Sequence, residues 1–194
     1  MKTNSLPFLL LLCIGLLSWS ACGDDDDIVQ DSLNYDGPNF TAPQNAAGFN
    51  TFAAYFPSSV TQPFIGRDLV SVRFWLQDIP LSTTVIIYDV DPNGDDRQPG
   101  PILYSRDITQ RINATGWIDH NLTTPVELTG AGLWIGIETE IAQNLGQAIG
   151  CDQGTNYNPN GDRFQDPSGA WTSFNEVTGT ERINWNIRGF LNEQ

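Results

Sequence analysis

His120 is the chain's one histidine, in Trp117-Ile118-Asp119-His120. A Ser-His-Asp triad or a histidine-based zinc site would have to use it. No nucleophile elbow or metalloprotease motif accompanies it, so a surface or strand-end histidine is expected and no catalytic residue is assigned. Cys151, between Gly150 and Asp152, fits a small buried residue better than a nucleophile. A different chemistry is suggested by Asp89, Asp91, Asn93, Gly94 and Asp95 in the run DVDPNGD. Oxygen side chains at alternate positions, with a glycine at the sharp bend, suit a hard cation, and calcium is the one cofactor the sequence suggests. The likeness to an EF-hand loop stops at its last ligand position, where Gly100 stands in place of a bidentate glutamate. Asp and Asn also build turns without an ion, and both readings stay open for this loop. They stay open too for the Gly/Asn-rich stretch from Asp152 to Asp166.

Trp75, Trp117, Trp134, Trp171 and Trp185 raise a third possibility. An exposed indole stacks on a sugar ring while neighbouring Asp, Asn and Arg bind its hydroxyls, but sandwich tryptophans also fill cores. Trp171 lies near Asp162 and Arg163 in sequence, so it is the first ligand-binding candidate, Trp75 the second, with Asp152, Asp162 and Arg163 as polar partners. Glycoside hydrolysis needs two carboxylates at a separation that only the fold sets. Glu127, Glu138, Glu140, Glu176 and Glu181 are available and nothing ranks them.

The elements that must position these residues are strands. From Phe49 onward no stretch of helical length keeps a 3.6-residue period. Short alternating runs recur instead, at Phe52–Phe56, Leu69–Leu76, Thr83–Asp89, Ile102–Ile108, Gly116–Leu122, Val126–Leu128, Leu133–Ile141, Ala170–Phe174 and Ile183–Leu191. Within one, Val70, Val72, Phe74 and Leu76 should point inward, opposite Ser71, Arg73 and Trp75. In another, Leu133, Ile135 and Ile137 oppose Trp134 and Glu138. Such spacing predicts an all-β antiparallel β-sandwich, jelly-roll-like, as one domain over 33–194, an arrangement that resembles galactose-binding domains.

The amino terminus sets the compartment. Lys2, an apolar run from Leu6 to Leu17, then Ser18, Ser20, Ala21 and Cys22 resemble a bacterial lipoprotein signal. The resemblance implies cleavage after residue 21, diacylglycerol on the Cys22 thiol and a stable lipid anchor in a membrane. Gly23 followed by Asp24 to Asp27 resembles the surface-export signal of Bacteroidota lipoproteins, with residues 22–32 as an acidic tether. Outer-membrane, cell-surface display is implied, and a periplasm-facing orientation is the alternative. Asp31-Ser32-Leu33 resembles the short O-glycosylation site of the same bacteria, which makes Ser32 a candidate acceptor. Lys2 is the only lysine and the net charge is −14, so nucleic acid is excluded as a partner through bulk charge. Cys151 is the sole cysteine beyond Cys22, and the domain has no disulfide.

A wider likeness runs through Tyr35-Asp36-Gly37, Ala53-Ala54-Tyr55-Phe56-Pro57, Phe64-Ile65-Gly66, Leu69 to Phe74, Pro99 to Tyr104, Gly116-Trp117, Thr124 to Leu128, Leu133 to Gly136, Gly150-Cys151-Asp152, Gly169 to Thr172 and Asn184 to Gly189. In that order they resemble the β-sandwich modules of secreted Bacteroidota proteins, akin to the adhesin and haemagglutinin regions of gingipain-type proteins. The resemblance implies a non-catalytic adhesion module, here a surface lipoprotein that binds glycan or a host or matrix protein. An accessory subunit docked to another surface protein and a glycan-active hydrolase are the alternatives.

Overall fold

The structure is a computed structural model that describes residues 31–193; Cys22, the leader and Asp24–Asp27 lie outside the described residues. Ten strands and two short helices follow in order: β1 (Ser32–Leu33), β2 (Gly48–Pro57), α1 (Ser58–Thr61), β3 (Asp68–Leu76), β4 (Ser82–Val90), β5 (Pro99–Asp107), β6 (Gly116–Glu127), β7 (Gly132–Ile141), β8 (Arg163–Gln165), β9 (Trp171–Ser173), α2 (Phe174–Thr178) and β10 (Ile187–Leu191). They form a four-stranded sheet, β1-β10-β3-β6, and a six-stranded sheet, β5-β4-β7-β2-β8-β9. Every ladder is antiparallel. The inner faces meet in one core that includes Phe52, Phe56, Phe74, Ile87, Ile135 and Trp185. Burial of each such side chain contributes about 1.5–3 kcal/mol, so the all-β sandwich needs no disulfide.

Gly189 of β10 leaves no room for a side chain, since a Cβ there would stand 2.5 Å from Ile135 Cδ1 of the facing sheet and 2.7 Å from Leu69 Cδ1 of its own. Leu69, not Val70, takes the inward place on β3, because the register against β6 shifts between Leu69 and Ser71. A bulge turns the following residues to the other face. The same irregularity absorbs the Thr123-Thr124-Pro125 bend, so two expected strands form the single strand β6. β8 was not expected; it buries Phe164 between outward-facing Arg163 and Gln165 and pairs with Thr51–Ala53. α2 begins at a capping box between Ser173 and Glu176, directly after β9, and ends at Gly179 with φ 76°.

Two further differences bear on the sites below. Trp134 faces away from the main core as expected, yet it is fully buried. The outer face of the six-stranded sheet carries its own apolar layer of Ala53, Tyr55 and Trp134 under Tyr88, Val90 and Trp171. The fold also starts before residue 33. Ser32 is in β1, and Asp31 forms an ion pair with Arg67, whose guanidinium also donates to the Asn192 carbonyl. Asp31 and Asn192 therefore sit at the Arg67 end of the sandwich, and Trp75 lies at the other end of β3.

Candidate functional site

Period-two alternation places Arg73 and Trp75 on the outer face of the four-stranded sheet. The registers bring Trp117 opposite Trp75, Asp119 opposite Arg73, and Arg188 on the other side of Arg73. The two indoles meet edge to face, centroids 5.6 Å apart at 89°. Arg188 lies over Trp117 at 4.4 Å and Arg73 over Phe190 at 5.6 Å, contacts that hold guanidinium and ring in fixed relation. Trp75, Trp117, Arg188 and Phe190 floor an open groove of about 580 Å³, walled by the segment from Asn34 to Asn39.

That wall is fastened from beneath. Asp36, whose side chain is fully buried, accepts from Arg188 Nε at 2.9 Å and from Asn186 Nδ2 at 2.8 Å. The Gly37 N–H donates to Asp152 Oδ2 at 3.1 Å. Asp152, offered above as a ligand contact, is buried and spends both oxygens inside the fold, also accepting from Gly154 N–H and from the backbone and side chain of Asn184. Its role is to position the wall. Arg73, beside the groove, forks onto Asp119 at 2.6 and 3.1 Å, so it and the groove's Arg188 are both paired with carboxylates. Ser32 is exposed at the groove rim and its hydroxyl donates to Asn34 Oδ1; the candidate glycan acceptor is therefore in a strand and not in a free linker.

Gly150 packs against two residues of the groove, Trp75 and Asn39. Its N–H donates to the Trp75 carbonyl, and a Cβ there would stand 2.5 Å from Trp75 Cδ1 and 2.2 Å from Asn39 Oδ1. Gly150→Ala must displace both groove residues, and a cost of about 1–2 kcal/mol in stability is expected. The check is urea denaturation, with the near-ultraviolet circular dichroism of the Trp75–Trp117 pair altered as well.

A second cleft, of about 280 Å³, lies on the outer face of the six-stranded sheet. Here the fold does bring together three residues singled out from sequence. Arg163 comes from β8, Trp171 from β9, and Asp95 from the β4–β5 loop that folds over the sheet. Trp171 packs edge-on against Trp134 and Tyr88, with centroids 5.4 and 6.0 Å apart. Arg163 lies 5.6 Å from the Trp134 ring and donates to Asn160 Oδ1 at 2.7 Å. Glu176 accepts from Thr172 Oγ1 at 2.8 Å and from the Ser173 N–H, and these bonds hold its pKa below the usual carboxylate range. Asp162, adjacent in sequence to Arg163, turns inward instead and is fully buried. Its Oδ2 accepts from the Asn175 N–H and the Tyr157 hydroxyl while Oδ1 has no partner, and burial pushes its pKa up to about 6.

The acidic-loop candidates make local hydrogen bonds. Asp89 caps the Val90 N–H, Asp91 accepts from Asn93 and Gln98, and Asp95 is bound through both oxygens to Arg97. With Asn93 they form turn-type contacts, and among the described residues no three His, Cys, Asp or Glu side chains gather as a metal-binding group. His120 is not at the surface. It is buried, its Nε2 lies 2.8 Å from the Tyr104 hydroxyl, and burial holds its pKa below the usual value. Cys151 is buried as expected and desolvation raises its thiol to about 12, which leaves it unreactive.

Compared with models of known protein families and with curated proteins, the chain matches none. Trp117 was named among five tryptophans but not ranked, and Arg188, Asp36 and Phe190 were not singled out as site residues. Arg73 and Trp75 could be read as sharing a strand face, but their neighbours come from strands about 40 and 115 residues further along, joined only by cross-strand register.

Proposed function

We propose that the chain is a non-catalytic binding module of the bacterial cell surface, held by lipid on Cys22 at the outer membrane, and that its ligand is a neutral glycan seated in the Trp75–Trp117 groove. The likeness to adhesin-type sandwich modules and the lipoprotein-like leader support the location and the class. One observation carries the ligand: two half-buried indoles and a ring-stacked guanidinium line an open groove, and that guanidinium, Arg188, is paired with Asp36. Aromatic faces stack on the apolar face of a sugar ring, and paired charges offer hydrogen bonds without selecting a charged ligand.

The test is a glycan array probed with the folded chain, followed by titration of the best neutral oligosaccharide. Trp75→Ala and Trp117→Ala are each expected to weaken binding at least tenfold, about 1.4 kcal/mol. Unchanged affinity in both variants would refute the groove.

The accessory-subunit reading has its own observation. Ile79, Leu81 and Leu145 are 53%, 59% and 67% exposed, and Ile79 lines a cleft of about 360 Å³ with Ile141 and Ala148. It becomes the leading reading if the array is blank and Leu145→Asp releases the chain from an isolated surface complex.

A further inference from the structure

The cleft on the opposite sheet face has a composition that asks for a ligand of its own. One wall is the β4–β5 loop with Asp95 and Arg97; the other is β9 and α2 with Trp171 and Glu176; Arg163 lies between them. The Arg97 fork is held on Asp95 at 3.0 and 3.1 Å, and Glu176 is ionised and exposed at the rim. Two guanidiniums and two carboxylates leave the cleft without net charge, so an ion of either sign meets as much repulsion as attraction. A polyhydroxylated neutral ring does not. Each hydroxyl can accept from a guanidinium and donate to a carboxylate at once, and Trp171 supplies an apolar surface fixed by its contacts with Trp134 and Tyr88. The cleft has about half the volume of the groove, 280 against 580 Å³, and is bounded on two sides, which suits a single ring and not the side of a chain.

We propose that this cleft is a second, independent glycan subsite that takes one neutral sugar ring between Glu176 and Arg163 beside Trp171. The inference rests on the glycan reading of the groove. Because the two sites lie on opposite outer faces of the sandwich, a single copy of the chain bridges two glycan strands, and multivalent capture follows without oligomerisation.

The experiment is ¹⁹F NMR of the full chain labelled with 5-fluorotryptophan, each signal assigned by a Trp→Phe variant. The probes are the methyl glycosides of glucose, galactose, mannose and N-acetylglucosamine, then their linear oligosaccharides. The expected result is a saturable shift of the Trp171 signal with at least one monosaccharide glycoside, retained in Trp75→Ala and weakened about tenfold in Glu176→Gln. The buried Trp185 signal reports that each variant is folded. If no glycoside moves Trp171, the second subsite is overturned. The Trp75 and Trp117 signals report separately on the groove: oligosaccharide shifts there with Trp171 silent leave the groove reading intact, and the reverse pattern sinks the groove while supporting the subsite.

Discussion

Asp36→Ala is expected to lower the unfolding free energy by about 3–5 kcal/mol and to abolish binding in the groove. The carboxylate is fully buried, and it is the partner of Arg188, 26% exposed, and of Asn186, which is completely buried. Removing one member of a buried charge pair strands the other, which costs far more than the pair's own net worth. Arg188 also donates to the Gly37 carbonyl at 3.2 Å and covers the Trp117 ring. Loss of Asp36 therefore loosens the wall and the floor of the groove together. Urea denaturation should show a lower midpoint with an unchanged m-value, since the surface exposed on unfolding is the same. A cost below about 1 kcal/mol would mean that water satisfies Arg188, and the wall would then be held mainly through Asp152 and Gly37.

Asp162→Asn is expected to stabilise the protein at neutral pH. The folded environment raises the Asp162 pKa to about 6 from an ordinary carboxylate value, because burial disfavours the charged form. A raised pKa means that the fold prefers the neutral acid. Stability from this group is fully present below about pH 4 and is lost as pH rises through about 6. Two pH units at about 1.4 kcal/mol each give about 3 kcal/mol. Asparagine keeps the acceptor for the Asn175 N–H and the Tyr157 hydroxyl but never ionises. The advantage of the variant over the parent should grow by about 3 kcal/mol between about pH 4 and about pH 7. Thermal unfolding of both proteins across that range is the check, and a pH-independent difference would show that the carboxylate is ionised in the fold and stabilised there.

Much of the architecture was legible as alternation. Val72, Phe74 and Leu76 on one face of β3 and Arg73 and Trp75 on the other follow from a period of two, and Gly and Pro between such runs mark the turns. The burial of Cys151 was legible in the same way, from a small residue among small neighbours. Val70 was misplaced because a bulge depends on the partner strand, which local pattern does not contain. β8 was missed because three residues are too short to show a period.

The carboxylates divide on the same line. From sequence, Asp152 and Asp162 were acids beside candidate tryptophans. The fold buries both, one accepting four hydrogen bonds and the other with one oxygen unpaired, because the chain closes on them through Asn184 and Tyr157. By itself the sequence determined two apolar sheet faces, an acidic chain free of lysine, and the residue types from which a binding surface could be made. Only the tertiary structure decided that Trp75 meets Trp117, that Arg188 is held by Asp36, and that Asp95, Arg163 and Trp171 share a cleft. Hydrophobic period is a property of neighbours along the chain, whereas register and loop closure join residues that the chain itself keeps far apart.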